Sequence, residues 1–419
     1  MPDNIEPVRS RSQRRLRRGL AAASLLAAGA LVLSACGGDA SAGGADKGKG
    51  GQAGADAAAA KDASDAKITV SAKDGATDAS INDTGVKVTG GKLTSVTMTQ
   101  ADNGAVVKGS IAADGTSWKP DAQLERGTKY KIVANAKDDK NRAATENASF
   151  STVSSANSFI GTYTPDNGTT VGVGMPVSFT FDKPITKKKD VQSHITVTSS
   201  SGQKVVGHWF HGQRLDFRPE DYWKAGSKVT MKIDLDGVEG ANGVFGVQSK
   251  TVTFTIGRAQ VSTVDMNTQM MTVERDGKVL KKIPISGGSA QNPTYNGKMV
   301  ISEKFIQTRM NGSTVGFGGE YDIKDVPHAM RLSTSGTFIH GNYWGSPSIY
   351  GRVGTSHGCV GLQDVKGAQG DTPGKWFYDN SLIGDVVWVK NSADKTIAPD
   401  NGLNGWNMSW DKWQAGSAV

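Results

Sequence analysis

At 419 residues, with 53 glycines, 13 prolines and only 21% charged residues, the chain is too long for one compact unit and too rich in turns for long charged helices. Its formal net charge is +8, but six arginines and two acids fall in the first 35 residues, so the remainder carries only +4. Lys and Arg form no cluster interleaved with aromatics, which argues against nucleic acid as a partner.

Arg9, Arg11, Arg14, Arg15, Arg17 and Arg18 precede an apolar run from Leu20 to Leu33, the pattern of an export signal. The run is short for a bilayer span, which takes about 20 apolar residues. It ends in Leu33-Ser34-Ala35-Cys36, which resembles the lipobox of bacterial lipoproteins. That resemblance implies a signal peptide over 1–35 and a lipid on the sulfur of Cys36. The chain is then expected to be exported and anchored on the outer face of the cytoplasmic membrane, facing the cell wall. An ordinary cleaved signal in which Cys36 is incidental is the alternative. Residues 36–66 hold no aromatic or large aliphatic side chain, so they cannot build a core and read as a flexible tether.

Short runs such as Tyr130-Lys131-Ile132-Val133 and Val177-Ser178-Phe179-Thr180-Phe181 follow, with the period of two that marks strands. Two motifs recur at an offset of 99 residues: Trp118-Lys119-Pro120 with Phe217-Arg218-Pro219, and Gly127-Thr128-Lys129-Tyr130 with Gly226-Ser227-Lys228-Val229. Such a repeat predicts two tandem immunoglobulin-like β-sandwiches, over 67–155 and 156–258. His208 and His211 flank Trp209-Phe210; in a strand they point to opposite faces, so a shared metal site needs a turn and further ligands.

A third domain, 259–392, opens on strands broken by a hairpin turn at Asp276-Gly277. Its one helical candidate, around 365–380, is interrupted by Pro373-Gly374. Residues 393–419 contain Trp406, Trp410 and Trp413, and such a tail is expected to dock on the folded part.

Only two cysteines exist, Cys36 and Cys359; with Cys36 lipidated, Cys359 has no disulfide partner and invites a chemical role. Ile339-His340-Gly341 precedes a Gly/Ser-rich loop and then Ser356-His357-Gly358-Cys359-Val360-Gly361. An imidazole can take the thiol proton, and the adjacent N–H groups of Gly358 and Cys359 are candidate oxyanion donors. His340, His357 and Cys359 are also zinc-ligand types, but no C-x-x-C or H-E-x-x-H spacing accompanies them, so no metal or other cofactor is expected.

His340, fifteen intervening residues and Ser-His-Gly-Cys together resemble the signature of the L,D-transpeptidases, and Pro293-Thr294 resembles that family's Pro-Thr segment. The likeness extends to the lipobox, the paired immunoglobulin-like domains and the Trp-rich tail of actinobacterial members. It implies a mostly β fold in which the two sandwiches precede a catalytic β-sandwich domain. It further implies that Cys359 is the nucleophile, His340 the base oriented by the carbonyl of Gly341, and His357 a support for the loop. The backbone of Tyr321 is then an oxyanion donor, while Ser335, Gly336, Trp344 and Met310 contact substrate. Gly361 stands where many members carry Asn or Arg, Gly341 where close relatives often have Ser, and Val315 where they often have a lid Tyr. The implied reaction joins peptidoglycan stem peptides, a donor tetrapeptide and an acceptor amine, by 3→3 cross-links with release of D-Ala, and carbapenem β-lactams are the implied covalent inhibitors. A non-catalytic wall-binding scaffold, or a zinc or cysteine peptidase acting on the stems, is the competing reading.

Overall fold

The structure, a computed structural model, describes residues 63–419. Cys36, the signal and the tether up to residue 62 lie outside the described residues.

In the first sandwich, a sheet of Lys67–Val70, Val86–Thr89, Ser117–Pro120 and Gly109–Ile111 shares one core with a sheet of Lys92–Gln100, Lys129–Lys137 and Ala143–Ser151. Lys129–Lys137 displays the alternation that makes this work: Tyr130, Ile132, Ala134 and Ala136 are buried while Lys129, Lys131 and Lys137 face solvent. The second sandwich pairs Ser249–Ile256, Lys228–Asp234, Ile195–Ser199 and the short Thr170–Val171 against Val205–Phe210, Arg214–Pro219, Val177–Phe181 and Gly161–Thr164. The repeated motifs occupy equivalent places. Trp118 and Phe217 are both core residues, and Gly127 (φ 64°) and Gly226 (φ 75°) both turn the chain just before a long strand.

The third domain is built on a nine-stranded sheet, in the order Gly297–Val300, Val386–Lys390, Gln260–Asp265, Met270–Arg275, Lys278–Ser286, Val360–Gln363, Phe338–Asn342, Asp322–Arg331 and Glu303–Asn311. Val264, Met271, Val273 and Ile283 from one half pack with Ile339, Val360 and Leu362 from the other and with Phe377 outside the sheet, so both halves share one core. Asp276 (φ 51°) and Gly277 (φ 77°) form the tight hairpin turn between Arg275 and Lys278. The helix is shorter than expected and begins where a break was foreseen. It spans Pro373–Asp379, with Thr372 as its N-cap accepting from the Lys375 N–H at 3.1 Å. Proline at the first helical position lacks only an N–H that has no intrahelical partner anyway, so here it starts the helix instead of breaking it.

The tail, with a short helix at Trp410–Ala415, lies against both the second sandwich and the third domain. Asn404 accepts from the Val300 N–H at 2.9 Å and donates to the Leu332 carbonyl at 3.0 Å. Trp406 donates to the Gly174 carbonyl at 2.7 Å, and Trp413 to the Val206 carbonyl at 2.9 Å. The Arg218 guanidinium sits 4.7 Å from the Trp406 ring, 5.4 Å from Trp410 and 4.3 Å from Trp413. His208 is therefore a docking residue, its Nδ1 2.9 Å from the Trp413 carbonyl, whereas His211 is exposed at a turn beside Asp400.

Candidate active site

Phe338–Asn342 and Val360–Gln363 are adjacent parallel strands, with Ile339 opposite Val360 and His340 opposite Gly361. Alternation along each strand sends Ile339 and Val360 into the core and puts Phe338, His340, Cys359 and Gly361 on the other face. A cleft on that face is lined by Met310, Tyr321, Ile323, His340, Asn342, Trp344, Ser356, His357, Cys359 and Gly361. At position 361 a Cβ would stand 3.3 Å from the Ser286 carbonyl oxygen and 3.5 Å from Asn342 Nδ2, so the place across from His340 in the register is tight for a side chain.

His340 Nδ1 lies 2.9 Å from the Gly341 carbonyl oxygen, which can only accept. In the neutral imidazole the proton therefore sits on Nδ1, and the Nε2 lone pair is free. Trp344 stacks on the ring at 5.7 Å and 15°, fixing its plane. Burial pushes the His340 pKa down, opposed by the bond to Gly341 and by the charge of Asp364. Burial also pushes the Cys359 thiol up to about 11, although a bond from the Phe338 N–H works the other way. Both groups rest neutral, so a proton passed from sulfur to imidazole creates the two ions together.

The Cys359 thiol donates to the Gly336 carbonyl at 3.6 Å, which joins the main cleft to a second, more polar one lined by Pro293, Val315, Phe317, Ser335, Gly336, Thr337, His357, Gly358 and Asp394. Ser335, Gly336 and Gly358 thus face a different cleft from Met310, Trp344 and Tyr321. The Gly358 N–H, expected among the oxyanion donors, is turned instead to Ser356 Oγ at 3.2 Å; that hydroxyl donates to the Cys359 carbonyl at 2.6 Å. Its φ of 105° is what brings the peptide round. His357 borders both clefts, held by Glu320 Oε2 at 2.7 Å and by the rings of Phe317 and Tyr321, so it ties the catalytic loop to the 312–321 lid. Among the described residues, no group of three or more His, Cys, Asp and Glu side chains is placed to hold a metal ion.

Asp364 and His328 were not foreseen from the sequence. They form a buried pair just behind Gly341, with Nδ1 to Oδ2 at 2.7 Å. Their separation of 36 residues and the lack of any motif around them left no sequence signal.

Residues 65–239 match the bacterial Ig domain family and residues 259–389 the L,D-transpeptidase catalytic domain family. L,D-transpeptidase 2 of Mycobacterium tuberculosis is 34% identical over 84% of this chain and 85% of that protein. L,D-transpeptidase 5 of the same species is 29% identical over 84% of this chain and 77% of that protein. A solved structure described as LD transpeptidase LdtMt1 in complex with imipenem is 26% identical over 55% of this chain and 97% of that one, with a TM-score of 0.46. With its catalytic domain matched and more than four-fifths of a relative aligned at 34% identity, the chain belongs to the L,D-transpeptidase family.

Proposed function

We propose that this protein is a cysteine-dependent acyltransferase that makes 3→3 peptidoglycan cross-links. The observation that carries the reading is the His340 imidazole, held by Gly341 with its Nε2 lone pair free in the cleft that also contains Cys359. In the first step, His340 takes the Cys359 proton while sulfur attacks the carbonyl between the third stem residue and terminal D-Ala. The oxyanion is held by the backbone N–H of Cys359 and that of Tyr321; Gly358 is already engaged with Ser356. Collapse of the tetrahedral adduct breaks the amide bond, and the D-Ala amine leaves with the proton carried by His340. An acceptor amine from a neighbouring stem then attacks the thioester, its proton passes to His340, and the thiol is restored. Met310, Trp344 and Gly361 border the cleft that Cys359 lines, while Ser335 and Gly336 border the polar one, which adjoins the sulfur at the Gly336 carbonyl.

The lipobox-like Leu33-Ser34-Ala35-Cys36 supports, beside this reading, a lipid on Cys36 and a place at the outer face of the cytoplasmic membrane. Cys36→Ser is expected to move the protein out of the membrane fraction.

Mass spectrometry of muropeptides incubated with the purified chain tests the reaction. A tetrapeptide pair should lose one D-Ala and gain a 3→3 bond, and Cys359→Ala should give neither. Unchanged muropeptides with wild-type protein would sink the enzymatic reading in favour of a wall-binding scaffold.

A further inference from the structure

The His328–Asp364 pair is unused by the chemistry of the cleft, yet the chain is shaped around it. Both residues are buried, and Asp364 Oδ1 also accepts from the Val365 N–H and the Thr372 hydroxyl, each at 2.8 Å. His328 holds φ at 46°, within a strand, a left-handed conformation that is strained for a residue other than glycine. The carboxylate also sits in a slot walled by two glycines. A Cβ on Gly341 would stand 2.1 Å from Asp364 Oδ2, and one on Gly374 would stand 2.2 Å from it. Gly341 is the residue whose carbonyl receives the Nδ1 proton of His340, so the carboxylate abuts the peptide that orients the base.

We propose that Asp364, clamped by His328, is a positioning residue for the base: it fixes the Gly341 carbonyl against Nδ1 and sets a negative charge behind the imidazole. The inference rests on Cys359 and His340 acting as nucleophile and base. Transfer of the thiol proton makes an imidazolium in a buried place, and a nearby carboxylate favours such an ion. Burial lowers the His340 pKa, and the charge of Asp364 is among the influences that raise it again. The other titratable groups around the pair are Tyr350, Tyr378 and Lys375. Tyr350 is pushed up to about 12 by burial and by Asp364; the Tyr378 ring lies 5.3 Å from His328; Lys375 is paired with Asp379 on its own helix. The arrangement also accounts for Gly341: any side chain there would evict the carboxylate.

The test is the rate of Cys359 alkylation by iodoacetamide against pH, read by mass spectrometry on the purified full chain. Asp364→Asn keeps the shape and removes the charge. Its acid limb should move to lower pH by about half a unit or more, and its plateau should fall roughly three- to tenfold, since a weaker base forms less thiolate. His328→Asn keeps a donor near the Nδ1 position and suits a left-handed φ, so Asp364 keeps its place and the acid limb should stay at the wild-type pH or rise. A lowered plateau with an unmoved limb in Asp364→Asn would mark a purely structural pair and overturn the proposal. If that variant does not fold, a fall of the limb in His328→Asn overturns it instead. A wild-type profile with no acid limb at all strikes the assignment of His340 as base, and this inference with it.

Discussion

His208 and Trp413, 205 residues apart, stack with ring centroids 4.8 Å apart and planes 26° from parallel. The contact is one end of a seam that includes Arg218 among three tryptophans and the bond from the Trp209 N–H to the Gly416 carbonyl at 3.0 Å. Trp413 is fully buried, so Trp413→Ala should cost about 3–5 kcal/mol. Thermal melting should show a fall of roughly 5–10 °C in the transition carrying the second sandwich and the third domain. Removing 402–419 should lower it further; an unaltered melting curve would show the tail to be dispensable.

For the chemistry, a carbapenem should add its mass to the chain at Cys359 alone, with Cys359→Ser forming no adduct. His340→Ala should slow the addition by about 100-fold, the usual scale for losing a general base. Because burial lowers the His340 pKa from its ordinary 6.5, the base remains deprotonated to lower pH, and the acid limb of acylation should lie below that value. Stopped-flow rates across pH check both. A limb at or above 6.5 would contradict the buried, neutral imidazole.

The lid is tied down by one bond to the catalytic loop, from His357 to Glu320, and Glu320 is largely exposed. Glu320→Gln should loosen residues 312–321 while leaving Cys359 and His340 in place. Hydrogen exchange in that segment should quicken, and the acylation rate should change less than with His340→Ala. Equal protection in both proteins would mean that Phe317 and Tyr321 alone hold the lid.

Acid should open the first sandwich through Asp138. Burial alone would raise its pKa, but the N–H groups of Asp65, Arg142 and Lys140 together with the Arg142 guanidinium hold it well below the usual carboxylate range. A carboxylate depressed in the folded state contributes its full stability above the unfolded value of about 3.9, and loses it as pH falls toward the folded one. Urea titrations should therefore show stability falling below about pH 4 in the wild type, with a shallower slope in Asp138→Asn. Parallel slopes would assign the acid sensitivity elsewhere.

Strand alternation, the 99-residue repeat and the His-Ser-His-Gly-Cys spacing were legible because each is a local pattern. Tyr130 and Ile132 declare their buried face without reference to anything distant. The tail's docking surface was not legible, because Trp406 and Trp413 announce only that they need cover, and the cover lies in the second sandwich, more than 200 residues earlier. Gly358 misled for a geometric reason. An N–H beside the nucleophile looks available until its φ of 105° turns it toward Ser356. Pro373-Gly374 misled because proline has opposite meanings at the first turn of a helix and inside one.

The parallel pairing of Phe338–Asn342 with Val360–Gln363 has a further consequence for where the sequence can drift. The backbone positions of His340 and Cys359 follow from the register of neighbouring strands, about 4.8 Å apart, with His340 opposite Gly361. The loop between them, from Tyr343 to Thr355, is anchored at Trp344, which stacks on the His340 ring, and at Tyr350, whose hydroxyl donates to the Asn342 carbonyl at 2.7 Å. Its exposed Ser346, Pro347 and Ser348 lie between those anchors, so a change of sequence there leaves His340 and Cys359 where the sheet puts them.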